Sequence, residues 1–152
     1  FWIADQRYLI VCLVIALAIY FFASRVQRRY VLLIWADAAG LVAFAVLGAE
    51  IALASGISPL VSIVLGMITA TFGGLIRDLV ADEAPLLLKQ EIYATAALAS
   101  AAVYVFAVTA FEVSPLIAAC AGIFVGFSLR AGAILFAWSL PRYKQRPGRI
   151  YK

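Results

Sequence analysis

Five apolar stretches, at 8–24, 30–54, 59–80, 91–111 and 115–140, take up most of this chain. Each is long enough to cross a hydrocarbon core about 30 Å thick, which takes about 17 to 25 helical residues. The breaks between them are short and polar: RVQRR at 25–29, SGIS at 55–58, ADEAP at 81–85 and EVS at 112–114. Composition agrees, with 66% of the residues apolar and only 13% charged, and with a mean hydropathy of +1.07. Soluble domains are nearer half apolar and a quarter charged. A globule of 152 residues has too little interior to hide so much apolar surface. A disordered chain, a fibrous chain and an ordinary soluble enzyme are thereby excluded, and the expected surroundings are lipid.

Cofactor chemistry finds little purchase. The sequence has no histidine, and its two cysteines, Cys12 and Cys120, sit inside apolar runs as packing residues. No set of residues at ligand spacing suits zinc or iron, so neither a metal nor a cofactor is expected. The net charge of +4 does not point to nucleic acid, because the basic residues fall into two juxtamembrane clusters. Arg25, Arg28 and Arg29 form one, and Arg142, Lys144, Arg146, Arg149 and Lys152 the other.

Short loops make neighbouring helices antiparallel. Both basic clusters then fall on one side of the membrane, which the positive-inside rule makes cytoplasmic, together with the C-terminal tail. The opposite side receives only SGIS and the lone Glu112. Tyr30, Trp35, Trp138 and Tyr143 stand at cytoplasmic helix ends, where amphipathic rings are expected. No cleavable signal peptide is visible in the first seven residues, so the first run is expected to remain in the membrane.

A weak internal repeat aligns FWIADQRYL at 1–9 with LLLKQEIYA at 86–94, placing Tyr8 on Tyr93. The spans that follow the two copies run in opposite directions, the pattern of an inverted-topology repeat. A helix pair precedes the second copy and none precedes the first. The expectation is therefore two further N-terminal helices, and seven spans arranged as three plus three plus one. On this reading 1–152 is a single membrane domain. Residues 1–29 are the third helix of the first repeat with its loop, 30–114 the second repeat, and 115–152 the final helix with its basic tail.

The third span carries small and polar residues at helical spacing: Ser62, Gly66, Ala70, Gly73 or Gly74, and Arg77, followed by Asp78. Close helix packing explains such a stripe. A break at the glycine pair, tolerated at membrane depth only beside protein or a water-filled cavity, makes the same stripe the wall of a pore or substrate path. Intramembrane charges cost roughly 2.5 to 3.5 kcal/mol each on insertion scales and need partners or water. Arg130 sits about 15 Å from the end of its span at position 140, near the middle of the bilayer. Ala118, Gly122 and Gly126 precede it in four-residue steps, so its guanidinium is expected to face the bundle. Asp37, on a stripe with Gly40, Phe44 and Gly48, is its expected partner, with Asp78 second. A structural ion pair and a role in permeation both remain open for this arginine. Glu50 lies near the outer end of its helix, where an interfacial carboxylate and a functional role both remain open, and the alanine-rich fourth span, with Ala94, Ala97 and Ala101, reads as a tightly packed helix.

DAAGLVAFAVLGAE at 37–50, GMITATFGGLIRD at 66–78, Pro85, EIYA at 91–94, and Arg130 with WSLPR at 138–142 together resemble the bacterial branch of the trimeric intracellular cation channel (TRIC) family, whose members are also known as glycine transporter domain proteins. The resemblance implies a seven-helix subunit of inverted three-helix repeats plus a final helix, an all-α polytopic membrane protein of the bacterial inner membrane. It also implies a homotrimer with one cation pathway per subunit, lined by helices bent at their glycines. Gly73, Gly74, Arg77 and Asp78 are the second-repeat members of that motif, and Gly66 lies on the same face. The first-repeat copy would precede Phe1.

Four functions compete at this point. The first is a monovalent-cation channel of potassium type, in which carbonyls and polar side chains replace part of the ion's hydration and Arg77 gates the path. The second is a carrier for glycine or another small zwitterion, with Arg130 meeting a carboxylate. A structural subunit is the third. An intramembrane hydrolase is the weakest, since no catalytic residue set is recognisable.

Overall fold

The computed structural model describes residues 10, 13–14, 17, 29–80 and 92–136, with backbone only at 29–30 and 77–80. Four helices run through it: α1 (Arg29–Ala54), α2 (Pro59–Val80), α3 (Ile92–Ala110) and α4 (Pro115–Phe136). All four are long and apolar enough to cross a membrane. They match the expected spans at 30–54, 59–80, 91–111 and 115–140 closely at every described end. Of the expected span at 8–24 only Ile10, Leu13, Val14 and Leu17 are described, and these are helical. The linker at 81–91, and the segment from 137 with Trp138, Tyr143 and the second basic cluster, lie outside the described residues.

Local chemistry sets the helix ends. Helix α1 closes on Gly56, whose φ of 78° is open to a residue without a Cβ. Gly56 N–H donates to Leu53 O at 3.0 Å and Ile57 N–H to Ala52 O at 3.2 Å, the paired bonds of a Schellman cap. Helices α2 and α4 both open on Ser-Pro. Proline is suited to a first helical position, where no N–H is needed, and the serine carbonyl takes the first helical bond: Ser62 N–H reaches Ser58 O and Ala118 N–H reaches Ser114 O. At the end of α3, Glu112 takes φ 50° while Val113 N–H turns back to Ala107 O.

The contacts divide the chain into two compact units, 1–36 and 37–152. The second unit holds the core, and its interior is rich in alanine. Ala38, Ala45, Ala49, Ala70, Ala96, Ala97, Ala101, Ala118 and Ala133 are all buried, whereas Phe44, Phe72, Phe106, Leu116 and Phe124 point outward. Water would penalise such an arrangement, but lipid tails favour it, because helix association in a bilayer depends on close van der Waals contact between small residues.

The seams are tight. A Cβ placed on Gly66 would collide with Ala45 O and come within 3.1 Å of Ala101 Cβ, so α1, α2 and α3 meet at this glycine. One placed on Gly48 would lie 2.9 Å from Thr69 Cβ. Of the stripe Asp37, Gly40, Phe44 and Gly48, Gly48 meets α2 and Asp37 accepts a hydrogen bond from α3, whereas Phe44 is 57% exposed; Leu41, Val42, Ala45, Val46 and Ala49 are buried.

Candidate functional site

Helix α4 brings an arginine into the bundle by way of its small face. Ala118, Gly122 and Gly126 are buried, as their spacing predicts. A Cβ at Gly122 would meet Ser100 O at 2.7 Å, and one at Gly126 would meet Ser100 Cβ at 2.7 Å, so α4 lies directly on α3. Ser100 fastens the crossing, its hydroxyl donating to Gly122 O at 2.9 Å. One turn further along the same face, Arg130 is carried over the beginning of α3 and is fully buried.

Its guanidinium carbon stands 5.1 Å from the centroid of the Tyr93 ring. A cation over an aromatic face is attracted by the ring quadrupole, by about 2 kcal/mol when both are removed from water. Tyr93 is itself buried, and its hydroxyl donates to Asp37 Oδ1 at 3.2 Å. Asp37 and Arg130, the pair expected from sequence, therefore meet on one tyrosine, which offers its ring to the cation and its hydroxyl to the carboxylate.

The fourth member is a glycine. A Cβ at Gly74 would fall on the Tyr93 hydroxyl and lie 3.6 Å from Asp37 Oδ1. Gly74 is buried in this notch, whereas its neighbour Gly73 is exposed, with nothing among the described residues within 4 Å of its Cβ position. Helix α2 is unbroken through both glycines and continues as α-helix to Val80, so the expected break at the pair is not seen. Tyr93 fills the space beside Gly74. Arg77 and Asp78 follow in the last turn of α2, with their side chains outside the described residues.

The stripe on α2 is thus divided. Ser62, Gly66, Ala70 and Gly74 face the interior, and Gly73 does not. Gly66 sits at the α1–α2–α3 seam, two turns from the charged cluster. Glu50 is half-buried near the end of α1 and outside that cluster.

Two residues escaped the sequence reading, which found no chemistry in the fourth span. Tyr93 looks like an ordinary interfacial tyrosine at the start of a helix. Ser100 is one polar atom among alanines, and only its position opposite the Gly122–Gly126 stripe marks it as a fastening.

A family model described as "Glycine transporter" matches residues 34–109. A UPF0126 membrane protein of Vibrio cholerae is 36% identical over 94% of this chain and 60% of its own length. The UPF0126 inner membrane protein YadS of Escherichia coli is 32% identical over 94% of this chain and 70% of its own. This chain therefore spans about three fifths to seven tenths of these relatives. Among solved structures, that of the TRIC trimeric intracellular cation channel orthologue from Rhodobacter sphaeroides is similar with a TM-score of 0.85 and 44% identity, covering 91% of this chain and 71% of that one.

Proposed function

Because the chain belongs to the TRIC family, the family of the glycine-transporter model and the UPF0126 membrane proteins, we propose that it is part of a monovalent-cation channel of the bacterial inner membrane. The observation that carries this reading is the likeness to a trimeric cation channel at a TM-score of 0.85, over 91% of a chain that gathers a buried arginine, a buried tyrosine and a half-buried aspartate.

In this proposal the inner half of α2 is the moving wall of the pathway. Gly73 and Gly74 leave its surface narrow, and Arg77 and Asp78 set the charge one turn beyond. Polar groups along the wall stand in for water around a partly dehydrated ion. The path is closed when Arg77 lies across it and opens as the helix swings about its glycines. The working protein is a homotrimer with one path per subunit, its C-terminal tail in the cytoplasm among the basic residues of the second cluster.

A carrier for glycine or another small zwitterion is less favoured, since the solved structure most informative here is that of a channel. The test is to reconstitute the full-length protein in planar bilayers with symmetric potassium chloride, and in parallel to measure uptake of labelled glycine into liposomes. Discrete potassium currents without saturable glycine uptake support the channel. Saturable uptake without unitary events overturns it.

A further inference from the structure

We propose that Glu50 and Tyr104 form a binding site for a small monovalent cation at the end of the bundle away from Arg130, a site that does not depend on the channel reading above. Three contacts fix how α1 and α3 are aligned. Tyr93 meets Asp37, Ser100 meets Val42 O at 3.4 Å, and a Cβ at Gly122 of α4 would lie 3.4 Å from Tyr104 Cβ and 3.2 Å from Val46 Cγ2. The two helices therefore run in the same direction, and the turn of α1 that follows Val46 brings Glu50 beside Tyr104. Tyr104 stands three turns along α3 from Tyr93, about 16 Å at 1.5 Å per residue, so the pair shares no side chain with the arginine cluster.

Both residues lack what their burial calls for. Glu50 is half-buried, and a carboxylate within a membrane-spanning helix needs a countercharge or water. Among the described side chains the only basic one is that of Arg130, at the other end of the bundle. Tyr104 is 2% exposed, yet no hydrogen bond to a described residue holds its hydroxyl. Buried tyrosine hydroxyls ordinarily find a partner. This hydroxyl lies in the field of the Glu50 carboxylate without being bonded to it.

A cation between the two satisfies both. The carboxylate supplies the charge and the phenol oxygen a lone pair, and alkali cations exchange part of their hydration for protein oxygens of this kind. One carboxylate suits one positive charge. Calcium takes six to eight oxygens, several of them from carboxylates, and no group of three or more acidic, cysteine or histidine residues placed to hold a metal occurs among the described residues.

The test is the thermal midpoint of the full-length protein, purified in detergent, in potassium chloride and in N-methylglucamine chloride, both at about 0.2 M so that general screening is the same. The bulky organic cation cannot enter between two partly buried oxygens. The parent's midpoint should be higher in potassium by about 2 to 4 °C, the shift produced by a site filled at several times its dissociation constant in a protein of this size class. Glu50→Gln keeps the shape and removes the charge, and should abolish that difference whatever it does to the midpoint itself. A role in packing alone would move the midpoints in both salts together. A parent indifferent to potassium overturns the proposal, as does a folded Glu50→Gln that keeps the parent's shift. If Glu50→Gln is not recovered folded, Tyr104→Phe removes only the phenol oxygen and should reduce the shift; the parent's full shift there also overturns the site. Ethanolamine hydrochloride offers the primary ammonium of a lipid headgroup, and a shift with it but not with potassium would place a lipid on Glu50 and overturn the alkali-cation site. None of these readings requires a current, so the site stands or fails apart from the channel.

Discussion

Gly66 lies so close to Ala45 that the carbonyl oxygen of the alanine takes the space a Cβ at position 66 would need. The atom in the way is backbone, inside a helix, and has no rotamer to change. Replacing Gly66 by Ala should therefore force α1 and α2 apart, with an overpacking cost of about 1 to 3 kcal/mol. The thermal midpoint of the purified protein in detergent should fall. Gly40→Ala, at a position with nothing among the described residues within 4 Å of its Cβ site, should leave the midpoint unchanged.

Arg130 is the largest fully buried side chain among the described residues. Removing one partner from a buried charged group costs about 3 to 5 kcal/mol, chiefly because the charge left behind is no longer compensated. Arg130→Ala should accordingly lower the yield of folded protein sharply. Arg130→Lys keeps the charge but loses the planar group that lies over Tyr93, and should be recovered with an intermediate midpoint. Equal recovery of both variants would mean that the cluster contributes nothing to stability.

Helix ends were legible because they depend on local chemistry. Ser-Pro at 58–59 and 114–115 and the glycine at 56 act within one turn of themselves. The inner face of α4 was legible too, since Ala118, Gly122, Gly126 and Arg130 stand out by size and charge from the bulky residues around them. The face of α1 was legible only in part, at Asp37 and Gly48. In a lipid-facing bundle the outside is as apolar as the inside, so hydrophobicity does not separate Phe44 from Val42, and the choice is made by which side chains allow a neighbouring helix to come near. Tyr93 was illegible for a related reason. Its meaning depends on Gly74, Asp37 and Arg130, which are far from it in sequence and come together only when three seams of small residues have closed.

Sidedness can be checked by chemical labelling. Ser58 directly precedes α2 in the loop expected outside, and Lys144 belongs to the basic tail expected in the cytoplasm. With Cys12 and Cys120 replaced by alanine, Ser58→Cys should react with a membrane-impermeant maleimide added to intact cells. Lys144→Cys should react only after the membrane is opened. The reverse pattern would invert the proposed topology.

The last expectation concerns Arg77, which stands one helical turn beyond Gly74. If cations follow this wall as proposed, they meet a positive charge there, and at an effective dielectric constant of 20, appropriate near a protein surface, two unit charges 4 Å apart repel by about 4 kcal/mol. Even a fraction of that barrier would close a path in which each 1.4 kcal/mol is a tenfold change. Arg77→Ala should raise the leak of potassium, while Arg77→Lys should keep the barrier and remain near the parent. Salt separates this electrostatic role from a purely steric one. At an ionic strength of 1 M the screening length falls to about 3 Å, so the difference between Arg77→Ala and the parent should shrink between 0.1 M and 1 M potassium chloride. A leak that rises in Arg77→Ala by the same factor at both concentrations would identify Arg77 as a plug by volume, and Arg77→Met, with similar bulk and no charge, would then close the path again.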